Sequence, residues 1–210
     1  MNTLTENPIQ SMKAIIDKAL QSGMNYSEYR DLVHELATIN SNSGLDKTAS
    51  LANYTQLNDR RMKRWDKTLS IPDEAVSKIK IQDARVTWLV LTESWCGDAS
   101  PSLPVMNKLT EINPNIELKI VLRDEHPELM DRFLTNGSRS IPKLIAMDSK
   151  TQKVLGEWGP RSTKATQMVV DEKAKNGVLS PEFKQELQVF YNKDKGQDIL
   201  RDLTELLALE

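Results

Sequence analysis

Residues 84–99 read ARVTWLVLTESWCGDA, and the fold of the chain turns on them. Ala84–Leu91 is a β-branched and aromatic run, the mark of a strand buried on both faces. Leu103, Met106 and Leu109 then recur at helical spacing, which predicts a helix over 96–112. That puts Trp95-Cys96-Gly97-Asp98 where a strand ends and a helix begins. Peptide N–H groups at a helix N-terminus are unpaired and carry partial positive charge, so a thiol there is expected to ionise more readily than a free one. Further strands are expected at 116–122, 143–148 and 153–157, with a short helix at 126–134 and a turn at Asn136-Gly137. The middle of the chain thus reads β-α-β-α-β-β-α, an α/β core whose last two strands are close enough for a hairpin. Ser140-Ile141-Pro142 stands just before the third strand. A proline cannot donate to a sheet ladder, so it belongs at a strand's first residue, and an X–Pro bond in a tight turn is a candidate for the cis form.

Upstream, apolar residues follow a helical period. Ile9, Met12, Ile15, Ile16, Ala19 and Leu20 form one stripe ending at Gly23. A second runs from Tyr26 to Ile39 and a third from Leu51 to Leu69, and Ser70-Ile71-Pro72-Asp73-Glu74 opens another helix. Beyond Arg161 two helices are expected, the second opened by Ser180-Pro181-Glu182. Residues 1–80 therefore read as an all-helical extension, 81–175 as the α/β domain, and 176–210 as a C-terminal helical segment packing on the core.

Composition narrows the function. The chain has 210 residues, with 28 Lys+Arg against 30 Asp+Glu, so no long-range field gathers nucleic acid or anionic lipid. One Cys excludes an internal disulfide, and one Cys with two distant His is too few for a zinc site. The start MNTLTENPIQSMKAI lacks a basic head and an apolar run, and no stretch approaches ~18 apolar residues. The expectation is a soluble cytoplasmic protein with no cofactor, no metal, no nucleic acid and no membrane partner. His34 and His126 read as surface or packing residues, and the methionines as core filler. The basic run Asp59–Lys67 reads as a solvated helix face with Trp65 turned inward.

Glu93-Ser94-Trp95-Cys96-Gly97-Asp98-Ala99, Pro104 eight residues after the Cys, Ser140-Ile141-Pro142 with the strand Lys143–Asp148, and Gly156 or Gly159 after it together resemble the thioredoxin superfamily, over about residues 80–175. The resemblance implies a central mixed sheet flanked by helices. It also implies thiol–disulfide chemistry at Cys96, with Trp95, Gly97, Asp98, Ile141 and Pro142 shaping the substrate groove. The sequence departs from the family pattern at two positions. Residue 99 is Ala where the resolving Cys would stand, and Val90 takes the place of the family's buried Asp. A mixed disulfide at Cys96 then needs an outside thiol for release, so the partners implied are proteins or low-molecular-weight thiols and disulfides. Helices on both flanks also supply surface for a homodimer.

Asp98 opposes ionisation of Cys96 by like charge, and Arg139 beside the Ile–Pro turn is the expected counterweight. The leading reading is monothiol thiol–disulfide exchange. The alternative is a non-catalytic peptide- or protein-binding module, or a redox sensor, in which Cys96 is a small buried residue. Monothiol glutaredoxins, which hold an iron–sulfur cluster between subunits, also keep one Cys before Gly, but nothing in the sequence marks a glutathione pocket.

Overall fold

The Ala84–Leu91 run forms strand β1 (Val86–Thr92), and all seven of its residues are buried. In the computed structural model, which describes residues 8–208 with side chains from Met12 onward, β1 has a strand on each side. It pairs in parallel with β2 (Ile116–Leu122) and antiparallel with β3 (Lys143–Asp148). β3 turns back antiparallel into β4 (Val154–Trp158), which gives a mixed sheet of order β2-β1-β3-β4. A central strand covered on both faces has no wet side, which is why its sequence does not alternate. Residues 1–7, read above for a targeting start, and the side chain of Ile9 lie outside the described residues.

The extension forms α1 (Pro8–Ser22), α2 (Tyr26–Thr38), α3 (Ala49–Thr68) and α4 (Asp73–Lys80). Its stripes do not close a core of their own: Ile16, Tyr29, Val33, Met62, Trp65 and Ile79 join the cluster that contains β1. Between α1 and α2, Met24 exchanges two backbone hydrogen bonds with Ile120 at 2.8 Å each, which occupies part of the outer edge of β2. Trp65 is buried, as its place in the basic run predicts, while Asp59 and Asp66 pair with Arg30. His126 is a packing residue bonded to Ser22 Oγ at 2.8 Å, and the exposed His34 pairs with Asp59.

Two helix boundaries differ from the expected ones. Helix α5 (Ala99–Ile112) begins at Ala99, not Cys96, with Asp98 as its N-cap residue. Helix α6 (Pro127–Met130) is a single turn, after which the chain bends through a Thr135–Ser138 bridge closed by Asn136 (φ 50°) and Gly137 (φ 74°). Past β4, three helices follow among the described residues where two were expected: α7 (Thr163–Asn176), α8 (Pro181–Asp194) and α9 (Gln197–Leu207). The break comes from the left-handed pair Lys195 (φ 56°) and Gly196 (φ 77°). Only the second of these is a residue that announces such a conformation. Ser180 caps α8 by accepting from Phe183 N at 3.0 Å. The start of α7 is capped from α9 instead, because Asp202 and Asp198 accept from Thr163 N and Lys164 N at 2.7 and 2.8 Å. Among the described residues no helix is long and apolar enough to cross a membrane.

Candidate functional site

Between β1 and α5 the chain makes a buried turn whose backbone is held from the extension. Tyr29 Oη donates to the Glu93 carbonyl at 3.1 Å, and Asn58 Nδ2 to the Ser94 carbonyl at 2.9 Å. Ser94 Oγ accepts from Ser43 N and hydrogen-bonds Thr55 Oγ, both at 2.9 Å. The buried Glu93 carboxyl accepts from Ser43 Oγ and from Asp124 N. Burial pushes that carboxyl above its usual range, with these hydrogen bonds opposing the shift. Tyr29, Ser43, Thr55 and Asn58 carry no motif, and nothing in the sequence singles them out for this task.

The turn brings Cys96 to the loop before β3. Its Sγ donates to the Ile141 carbonyl at 3.2 Å, and the Ile141–Pro142 peptide is cis. Cys96 is 6% exposed, so the ready ionisation expected of a thiol at a helix N-terminus is not what the fold favours. Two effects compete at the sulfur. Burial pushes the thiol up to about 12 and the Asp98 carboxylate adds to the rise, while the Ala99 and Asp98 N–H groups and Arg161 pull it down. Desolvation wins, because stripping water from a thiolate costs more than the two N–H groups and Arg161 return. Val90 is fully buried, an apolar residue where the resemblance would place a carboxylate.

Asp98 does not cap α5 with its side chain. It pairs instead with Arg161 at 2.7 Å and accepts from Tyr191 Oη at 3.2 Å. Arg139, the expected counterweight, is turned away: both arms of its guanidinium hold Asp131 at 2.7 Å. Arg161 lies just past Gly159-Pro160 and Tyr191 lies on α8, so only the tertiary fold brings them to the thiol. Asp98→Asn keeps the shape and removes the charge, leaving Arg161 as the nearer influence. Alkylation of Cys96 at a fixed alkaline pH is then expected to speed up about tenfold; an unchanged rate would mean that Asp98 does not act on the sulfur.

Trp95, Cys96, Gly97, Asp98 and Ile141 all line one cavity of about 740 Å³. Pro142 does not: it is buried, and a Cβ added to Gly159 would sit 2.1 Å from its carbonyl oxygen. Trp95 forms part of the wall, with the Arg123 guanidinium 5.0 Å over its ring. Helix α8 closes the other side through Phe183, Leu187 and Gln188, whose Nε2 donates to the Gly97 carbonyl at 3.4 Å. Cys96 is the chain's one thiol and residue 99 is Ala, so the site has no internal route to resolve a mixed disulfide.

The family model described as thioredoxin matches residues 44–175. Among solved structures, a protein of unknown function from Pseudomonas aeruginosa is similar at 20% identity and a TM-score of 0.55, covering 89% of this chain and 96% of that one. An HIV epitope-scaffold is similar at 18% identity with the same TM-score of 0.55, covering 83% and 96% of the two chains. At such identities the likeness speaks to the fold. No curated protein matches the chain.

Proposed function

Because the chain belongs to the thioredoxin superfamily, as the match over residues 44–175 shows, we propose that its cavity is a ligand-binding groove in which Cys96 serves as a neutral hydrogen-bonding thiol. The carrying observation is the Sγ–H bond to the Ile141 carbonyl at 3.2 Å in a buried setting that pushes ionisation up to about 12. A thiol attacks a disulfide only as thiolate, and at neutral pH a group ionising near 12 supplies it as roughly one molecule in 10⁵. The groove's function is therefore docking, with Trp95, Gly97, Asp98 and Ile141 in contact with the bound partner and Pro142 supporting them from behind.

Monothiol exchange is the second reading, favoured by Cys96 lining the cavity beside Ile141. A partner that brings its own cation to the sulfur would lower the thiol's pKa, and an external thiol would then release the product. One experiment separates the two. Since Cys96 is the only thiol, its alkylation by iodoacetamide can be followed across the pH range without interference. Docking predicts a rate that climbs with no inflection below about pH 10. An inflection between about pH 6 and pH 9 overturns the docking reading and puts exchange first.

A further inference from the structure

Resting on the reading of the cavity as a docking groove, we propose that it selects carboxylate-bearing ligands, specifically a short acidic peptide segment that also carries apolar side chains. The cavity wall presents Arg61, Arg123, Arg139, Arg161 and Lys184 against a single carboxylate, Asp98. Three of these cations are matched: Arg161 by Asp98, Arg123 by Asp124 at 2.8 Å, and Arg139 by Asp131 at 2.7 Å. Arg61 and Lys184 face no carboxylate within ion-pair distance among the described residues. In a chain of net charge −2, positive charge is thus concentrated at this concavity.

Arg61 is the sharper feature. Its Nη1 donates to Asn58 Oδ1 at 3.1 Å, the amide that anchors the Ser94 carbonyl, so the guanidinium is held in place. It stands over the cysteine turn: a Cβ built on Gly97 would lie 3.8 Å from Arg61 Nη1 and 3.8 Å from Gln188 Nε2. Burial pulls the guanidinium's pKa below its ordinary value, a desolvation cost that the Asp98 charge offsets only in part, since Arg61 has no ion-pair partner among the described residues. An anion lodged between Arg61 and Gln188 supplies that partner through charge-assisted hydrogen bonds. On Arg161, Nε is buried with no partner among the described residues, a further unused donor on the wall.

The form of the ligand follows from how the wall is built. Arg61 comes from α3, Lys184 from α8 and Arg123 from just past β2, so separate elements supply the cations. Leu51, Tyr54, Phe183 and Leu187 line the same cavity. Cations from separate elements on a wall that is also apolar match carboxylates carried on a chain with apolar side chains. A volume of about 740 Å³ fits a few residues of chain.

Titration calorimetry on the full chain tests this with end-blocked peptides in which Leu alternates with Glu, with Gln or with Lys. The Glu peptide is expected to bind at least about tenfold more tightly than the Gln peptide, with the Lys peptide weakest. That preference should collapse in the Arg61→Gln, Lys184→Gln double variant and on raising salt from about 0.05 to about 0.5 M. It should also collapse in Gly97→Asp, which seats the protein's own carboxylate beneath Arg61. Equal binding of the Glu and Gln peptides overturns the charge selection and leaves the groove reading standing, whereas no binding by any of the three overturns both. Glutarate competing as well as the Glu peptide would retain the carboxylate preference and overturn the peptide assignment.

Discussion

Between pH 9.0 and about 12 the native chain is expected to lose about 4 kcal/mol of stability that a Cys96→Ala variant does not lose. The sign follows from which state holds the proton. In the unfolded chain the thiol meets water and ionises in its ordinary range. In the folded chain burial and Asp98 keep the proton on sulfur until about pH 12. The unfolded state therefore binds fewer protons throughout that window, and stability falls as pH rises. Below the window both states are protonated and the contribution is constant. The buried Tyr29 and Tyr191 hydroxyls, also raised by burial, add their own alkaline slope, but they are present in both proteins and largely cancel in the comparison. Urea unfolding of the two chains at several pH values measures the difference directly. Parallel stability profiles would show that Cys96 ionises in the folded protein as readily as in the unfolded one, and the neutral-thiol account would fail.

Gly159→Ala is expected to destabilise the fold by about 3–5 kcal/mol. Two independent costs add here. Gly159 sits at φ +110°, a conformation that side-chain-bearing residues rarely adopt, and an added Cβ would lie 2.1 Å from the Pro142 carbonyl oxygen. A Cβ is fixed by its own backbone and the oxygen it meets is a backbone atom, so no side-chain rotation relieves the contact. Either β4 or the loop carrying Ile141 must move, and the second course withdraws the carbonyl that accepts from Cys96. Alongside the fall in unfolding free energy, faster alkylation of Cys96 is the expected signature. A variant as stable as the parent, with the thiol equally protected, would mean that Gly159 does not support the loop. Gly137 is the natural control: it also has positive φ (+74°), but nothing lies within 4 Å of an added Cβ, so Gly137→Ala carries only the conformational part of the cost.

Those features that depend on short stretches of chain are legible in the sequence. β1 announces itself by composition, the Ser180-Pro181 pair by its capping chemistry, and the alignment of Cys96 with Ile141 by two motifs at fixed places in the strand order. What escapes is set by pairs distant along the chain. Trp95-Cys96-Gly97-Asp98 reads as the tip of a helix, yet α5 starts at Ala99, and the Asp98 side chain is drawn to Arg161 and Tyr191 instead of folding back as a cap. Arg139 is near Pro142 in sequence and is the counterion that proximity suggests, but past the turn at Asn136-Gly137 its guanidinium pairs with Asp131. Burial of the sulfur is likewise a sum over α8, the Ile141 loop and the extension, none of which local periodicity can weigh. The extra break before α9 rests partly on Lys195 in a left-handed conformation, which its side chain gives no reason to expect.

The four side chains that hydrogen-bond the Glu93-Ser94 segment bear on protein engineering. Tyr29, Ser43, Thr55 and Asn58 come from α2, α3 and the connection between them, so the cysteine turn is shaped by parts of the molecule that contribute nothing to the sheet. A minimal version trimmed back to the strands would keep Cys96 in its sequence yet lose the scaffolding that conceals it. Transplanting this pocket to another host means carrying those supports along with it.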